Sequence, residues 1–179
     1  MQRHVTILAT SLDPASRSQL LAREAARQLS DRGVSVELID LRELDLPEAG
    51  RPGSWDHPTC VHLRGAVARS SHVVLAVPVY NYSVNATAKG AVELIGGNAL
   101  AGKTVAFLCA AGGARSYMAV LGLANALMLD FRCWIVPRIV YAVSGDFDER
   151  GIRNPELAER IGTLMQEMFV HDMGTPAEG

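Results

Sequence analysis

The chain has 179 residues, of which 49% are hydrophobic and 20% charged, and its formal net charge is −2. That length suits one domain with a sizeable core, and the composition is that of an ordinary globular protein. The near-neutral charge, with no Lys/Arg cluster, argues against nucleic acid as the main partner, but a small anionic ligand needs only local dipoles and one or two cations.

Cys60, Cys109 and Cys133 match no zinc or redox spacing, and the latter two sit in apolar runs as small core residues. The first residues lead into a strand-like run rather than a signal peptide. The longest apolar stretch, 117–129, is broken by Asn125 and is shorter than the roughly 20 residues that span a bilayer. The expectation is a reduced, soluble, cytoplasmic protein with no membrane segment.

In chain order, residues 5–9 form a short β-leaning run. A helix capped by Ser16 or Ser18 follows to about residue 32, with Leu21, Ala25 and Leu29 on its buried face. Gly33 suits the left-handed position past the helix end, and 34–40 alternates as a second strand. Residues 41–58, rich in Pro and Gly, read as a surface loop, and 59–70 as a helix. The apolar run 72–77 is a third strand and 78–83 the loop after it. A helix starts near Asn85 and ends at Gly96-Gly97. A fourth strand covers 104–110, a helix 116–130, a fifth strand region 134–143 interrupted by Pro137, and a last helix 155–170 with Pro155 in its first turn. Five strand–helix alternations imply a parallel sheet with helices on both faces. The tail from Asp172 reads as disordered.

In such a sheet the loops after strands one, three and four share one edge. The first carries Thr10, Ser11, Ser16, Arg17 and Ser18 around the start of a helix. Free N–H groups and the helix dipole there favour a phosphate, with Arg17 able to add a charge-assisted bond; capping alone also explains these serines. There is no Walker loop and no Gly-x-Gly-x-x-Gly fingerprint. The second, Pro78-Val79-Tyr80-Asn81-Tyr82-Ser83, suits a flat, polar-edged ring, although a proline turn with core-covering tyrosines reads equally well. The third, with Gly112, Gly113 and Arg115, lets a backbone approach a ligand closely, or is a plain tight turn. No acid–base dyad stands out, no Gly-x-Ser-x-Gly elbow is present, and the five histidines (4, 57, 62, 72 and 171) lack ligand spacing. A hydrolase or metal enzyme is disfavoured, and neither catalytic side chains nor metal ligands are assigned.

Taken together, the loops resemble the NAD(P)H-dependent FMN reductase family of flavodoxin-like proteins, which includes flavin, quinone and azo reductases. Pro78, Tyr80, Asn81 and Ser83 match its Pro-Glu-Tyr-Asn-Gly-Ser motif, and Lys89 falls at the lysine that follows. Gly112-Gly113 matches its glycine loop, and Ser11 and Ser16 its phosphate loop. Thr10 replaces a phosphate-loop glycine and Asp13 an arginine, for which Arg17 is a substitute; Val79 replaces a glutamate and Tyr82 a glycine.

The resemblance implies an α/β three-layer flavodoxin-like fold with a five-stranded parallel sheet of order 2-1-3-4-5. Residues 1–171 would form a single FMN-binding domain. It implies FMN as cofactor and NADPH or NADH as hydride donor. Ser11, Ser16, Arg17 and Ser18 would hold the phosphate, Pro78 to Ser83 would line the ring, and Gly112, Gly113 and Arg115 would contact the pyrimidine side or the nicotinamide nucleotide. The acceptor would be free flavin, a quinone, an azo compound or a partner flavin-dependent monooxygenase. A flavodoxin-like electron carrier is the alternative, disfavoured because carriers are usually strongly acidic. The helix at 116–130 is apolar around most of its circumference, which predicts burial in a homodimer or homotetramer, with Tyr117 or a partner loop closing the site.

Overall fold

The computed structural model describes residues 3–170; residue 171 and the expected disordered tail, 172–179, lie outside the described residues. In chain order the elements are β1 (His4–Ala9), α1 (Arg17–Asp31), β2 (Ser35–Asp40), α2 (Pro58–Arg69), β3 (His72–Tyr80), β4 (Ser83–Val84), α3 (Ala86–Ile95), α4 (Gly97–Leu100), β5 (Thr104–Ala111), α5 (Leu121–Phe131), β6 (Trp134–Val143), β7 (Phe147–Asp148), β8 (Gly151–Ile152) and α6 (Pro155–Glu167).

The main sheet runs β2-β1-β3-β5-β6, all parallel. With the two-residue β4 set aside, that is the expected flavodoxin-like order. Its central strands bury both faces. Val73, Leu75 and Val77 point into one core with Leu63, Val92, Leu123 and Leu127, and Val74 and Ala76 into a second with Leu21, Leu29, Ile161 and Leu164. Hence α1 and α6 cover one face and α2 to α5 the other, which is why these strands read as continuous apolar runs.

Local chemistry sets the helix ends. Ser16 accepts from the Gln19 N–H at 3.4 Å at the start of α1, and Asn154 accepts from the Glu156 N–H at 3.0 Å with Pro155 opening α6. After α1, Gly33 is left-handed (φ 75°), and the Val34 N–H reaches back to the Leu29 carbonyl at 3.1 Å, a Schellman closure.

Four expectations change. Residues 78–80 are not loop: β3 continues to Tyr80, with Pro78 paired to Ala110, and then turns into β4. The helix expected over 116–130 starts only at Leu121, since residues 114–116 form a 3-10 turn and Val120 offers no side-chain cap. Pro137 does not interrupt β6 but lies in a register irregularity of that strand, where the edge position tolerates its missing N–H. The 41–58 segment holds 3-10 turns at Leu41–Glu43 and Ser54–Asp56. Among the described residues, no helix is long and apolar enough to cross a membrane.

Candidate functional site

The carboxyl ends of β1 and β3 flank the point where the connections depart to opposite sides, the position at which open α/β sheets bind ligands. A cleft of about 510 Å³ lies there. Of the residues singled out from sequence, it is lined by Ser11, Ser16, Arg17, Ser18, Pro78, Val79, Tyr80 and Gly112. Asp13, Ala15, Ala110 and Ala111 also line it; the three alanines carried no signal in the sequence, whereas Asp13 stands where the resembled phosphate loop has an arginine. Thr10, Asn81, Tyr82, Ser83, Gly113 and Arg115 are not among its lining residues.

At one end is the first turn of α1. The Ser16 and Ser18 hydroxyls are 2.9 Å apart and buried, and the N–H groups of Arg17 and Ser18 precede any carbonyl one turn back, so they are donors for an anion. Arg17 is exposed; its Nη1 donates to the Ser144 hydroxyl at 2.6 Å, and its guanidinium lies 5.9 Å from the Phe147 ring centroid. One donor is thus committed and the fork still presents others. Asp13 turns inward on its own loop, accepting the Ala15 N–H at 2.9 Å.

Thr10 does something other than face a ligand. It is fully buried; its hydroxyl lies 2.9 Å from Asn85 Oδ1 and 3.1 Å from the Ala76 carbonyl. Asn85 Nδ2 donates back to the Thr10 carbonyl at 2.6 Å. Asn85 therefore clamps the end of β1 to the start of α3 instead of capping α3. Its sequence signal, a good cap residue, was real, but the side chain is used elsewhere.

On the opposite wall, Pro78, Val79 and Tyr80 end β3. Tyr80 pairs with Ser83 across a two-residue turn in which Asn81 (φ 49°) and Tyr82 (φ 63°) are both left-handed, as a type I′ hairpin requires. The glycine loop forms the third side. The Ser144 hydroxyl donates to the Gly112 carbonyl at 3.1 Å and Tyr141 OH to the Gly113 carbonyl at 2.6 Å, so the fold fixes its carbonyls. Neither glycine has a left-handed φ, and a Cβ on either would meet no protein atom within 4 Å. Backbone and packing therefore do not demand glycine here, and both positions are exposed.

Arg115 sits exposed in the 3-10 turn Ala114–Ser116. Lys89, exposed on α3, is ion-paired with Glu93 and borders a separate apolar groove of about 670 Å³ between α3 and residues 41–49. Burial raises the Cys109 thiol far above its ordinary range and Cys133 to about 11, so both stay protonated and inert as nucleophiles near neutral pH.

These donors and walls fit FMN: dipole and hydroxyls for a phosphate, an apolar strand end for the ring, and open glycines for the ring's polar edge. Comparison with known proteins agrees. A family model described as NADPH-dependent FMN reductase matches residues 3–148. The chain is 28% identical to the NADPH-dependent FMN reductase ArsH of Shigella flexneri, over 92% of this chain and 66% of that protein. It is 31% identical to an FMN reductase (NADPH) of Pseudomonas putida, over 59% of this chain and 53% of that one. It thus spans about two-thirds and half the length of these curated relatives. Among solved structures, an NADH:FMN oxidoreductase in its apo form superposes with a TM-score of 0.78 at 17% identity, covering 93% of this chain and 88% of that one. FerB, an NAD(P)H:(acceptor) oxidoreductase from Paracoccus denitrificans, gives 0.75 at 20%, covering 93% and 94%.

Proposed function

The chain belongs to the NADPH-dependent FMN reductase family, and from that premise we propose that it is an oxidoreductase that uses NAD(P)H to reduce FMN and, through it, an acceptor. The observation that carries this is the cleft itself, in which the start of α1, the end of β3 and the Gly112 loop converge. Bound FMN supplies the redox chemistry, exchanging two electrons between the nicotinamide and the acceptor. That accounts for the lack of an acid–base pair among the assigned residues.

The protein's part is placement. The Arg17 and Ser18 N–H groups, the Ser11, Ser16 and Ser18 hydroxyls and the free part of the Arg17 guanidinium hold the phosphate. Pro78, Val79 and Tyr80 exclude water from one side of the ring. The N–H groups of the Gly112-Gly113 loop donate to the pyrimidine edge, where they favour the added negative charge of the reduced state. Thr10 and Asn85 do not touch the cofactor; they hold the loops that do.

The remaining parts of the proposal are a homodimer or homotetramer in the cytoplasm, and a small-molecule acceptor or a partner flavin-dependent monooxygenase as the destination of the electrons. The direct test is titration of the purified protein into FMN with fluorescence readout, followed by NADH and NADPH oxidation with and without added FMN and a quinone. Saturable quenching and FMN-dependent oxidation are expected. No quenching and no oxidation would end the reading, whereas quenching without oxidation would make the protein an electron carrier.

A further inference from the structure

Among the described residues, the non-glycine positions with left-handed backbone are Asn81, Tyr82 and Arg132. Two have local reasons. Asn tolerates this conformation better than most residues. Arg132, at the C-cap of α5, donates from its side chain to the Leu129 and Asp130 carbonyls that end the helix. Tyr82 has no such reason. A type I′ turn at its second position is served best by glycine, and a bulky aromatic there carries backbone strain. Its side chain, 56% exposed, has no hydrogen bond or ring partner among the described residues. No hydrogen bond or ring contact among the described residues therefore accounts for a tyrosine at this turn position.

Its location supplies a use. Tyr82 is two residues beyond Tyr80, which lines the cleft and is itself 53% exposed. Tyr80 and Ser83 are paired across the hairpin, so the turn that carries Tyr82 stands at the rim of the cleft wall. Tyr82 is not among the residues that line the cleft where the ring system would lie, so a role at the entrance is favoured over one in holding cofactor.

Resting on the FMN reductase reading, we propose that Tyr82 is a specificity-determining residue: an aromatic face at the cleft entrance that selects flat aromatic acceptors of the quinone class over compact inorganic ones. The exchange it favours is quinone plus NAD(P)H plus a proton giving hydroquinone plus NAD(P)+, with two electrons passing from the nicotinamide to the quinone. Stacking of a flat acceptor on an exposed phenol ring accounts for the preference.

The test compares wild type, Tyr82→Gly and Tyr82→Phe in three measurements. The apo proteins are melted. FMN is titrated by fluorescence. Then kcat/KM is measured for 1,4-naphthoquinone and for ferricyanide. Tyr82→Gly is expected to melt no lower than wild type, because relief of the left-handed strain offsets the entropy that glycine adds to the unfolded chain. It should bind FMN within about twofold of wild type and lose about threefold to tenfold in the quinone-to-ferricyanide ratio. Tyr82→Phe should keep that ratio. A ratio unchanged in Tyr82→Gly overturns the inference while equal FMN binding leaves the parent reading standing. Weakened FMN binding with an unchanged ratio overturns it by assigning the ring to the cofactor. A wild type that does not quench FMN overturns both.

Discussion

Single side chains in this protein do different work from what their identities suggest, and the difference is visible in their hydrogen bonds. Thr10 stands in a loop of hydroxyls and looks like a phosphate ligand, but its hydroxyl is committed to Asn85 and the Ala76 carbonyl. Gly112 is the converse: nothing in the fold requires a glycine there. Gly112→Ala should therefore leave the melting temperature within about 2 °C of wild type, because the methyl meets only open space, while FMN affinity falls about tenfold, equivalent to about 1.4 kcal/mol. Calorimetry and flavin titration on the same preparation check both halves.

Asp40 is a third case. Burial works to raise its carboxyl, but the hydrogen bonds from the Arg42 side chain and backbone hold it below the usual carboxylate range, and Gln19 adds a bond at 2.9 Å. A folded-state value below the unfolded one means stability that is present above the unfolded carboxylate value of about 4 and lost as pH falls through the folded value. Asp40→Asn should therefore be less stable than wild type at pH 7, with the gap narrowing progressively below about pH 4. Urea unfolding across that range reads the effect; a gap independent of pH would refute it.

At the scale of elements, the site depends on how strand ends are tied together. The Asn85 side chain joins β1 to α3 through two short, buried bonds with Thr10. Asn85→Ala should cost about 2–3 kcal/mol, since it strands the Thr10 carbonyl away from water, and weaken FMN binding with it, because the α1 loop is positioned from the end of β1. Denaturant unfolding would show the loss as a lower midpoint with unchanged slope. The extension of β3 to Tyr80 has a similar origin. Pro78 lacks an N–H, which suggested a break, yet Val79 pairs with Val84 and Tyr80 with Ser83, so β4 gives the strand end a partner on the return. The late start of α5 goes with the turns before it: Val120 at its N-cap has no capping oxygen, and the chain there runs on short-range turns such as Ala119 N–H to the Ser116 carbonyl at 3.0 Å.

Considered as a whole molecule, the chain keeps part of its apolar surface uncovered. On α5, Leu123, Ala124 and Leu127 are buried, but Leu129 is 67% exposed, and Tyr117, Met118, Leu121 and Met128 are exposed on or just before the same helix; Trp134 at the start of β6 is 62% exposed. Exposed large apolar groups at this density favour association. Light scattering at micromolar concentration should therefore give at least a dimer mass, and Leu129→Glu should reduce it to that of the monomer with a stability change within about 0.5 kcal/mol per chain. A wild-type monomer would contradict this.

How much of this was legible in the sequence follows from the range of the forces involved. Strand–helix alternation, the two-sided burial of β3 and β5, the Gly33 helix stop and the grouping of three ligand-type loops at one sheet edge were determined by the chain alone, because periodicity, caps and left-handed glycines act over a few residues. The tertiary structure decided what depends on partners distant in sequence: that Thr10 and Asn85 spend their polar atoms on each other across 75 residues, that Ser144 and Tyr141 hold the glycine loop from β6 and the turn after it, and that Asn81-Tyr82 is a strained hairpin tip rather than part of an open loop. A residue's type states which bonds it can make; only the fold brings up the partner that decides which one it does make.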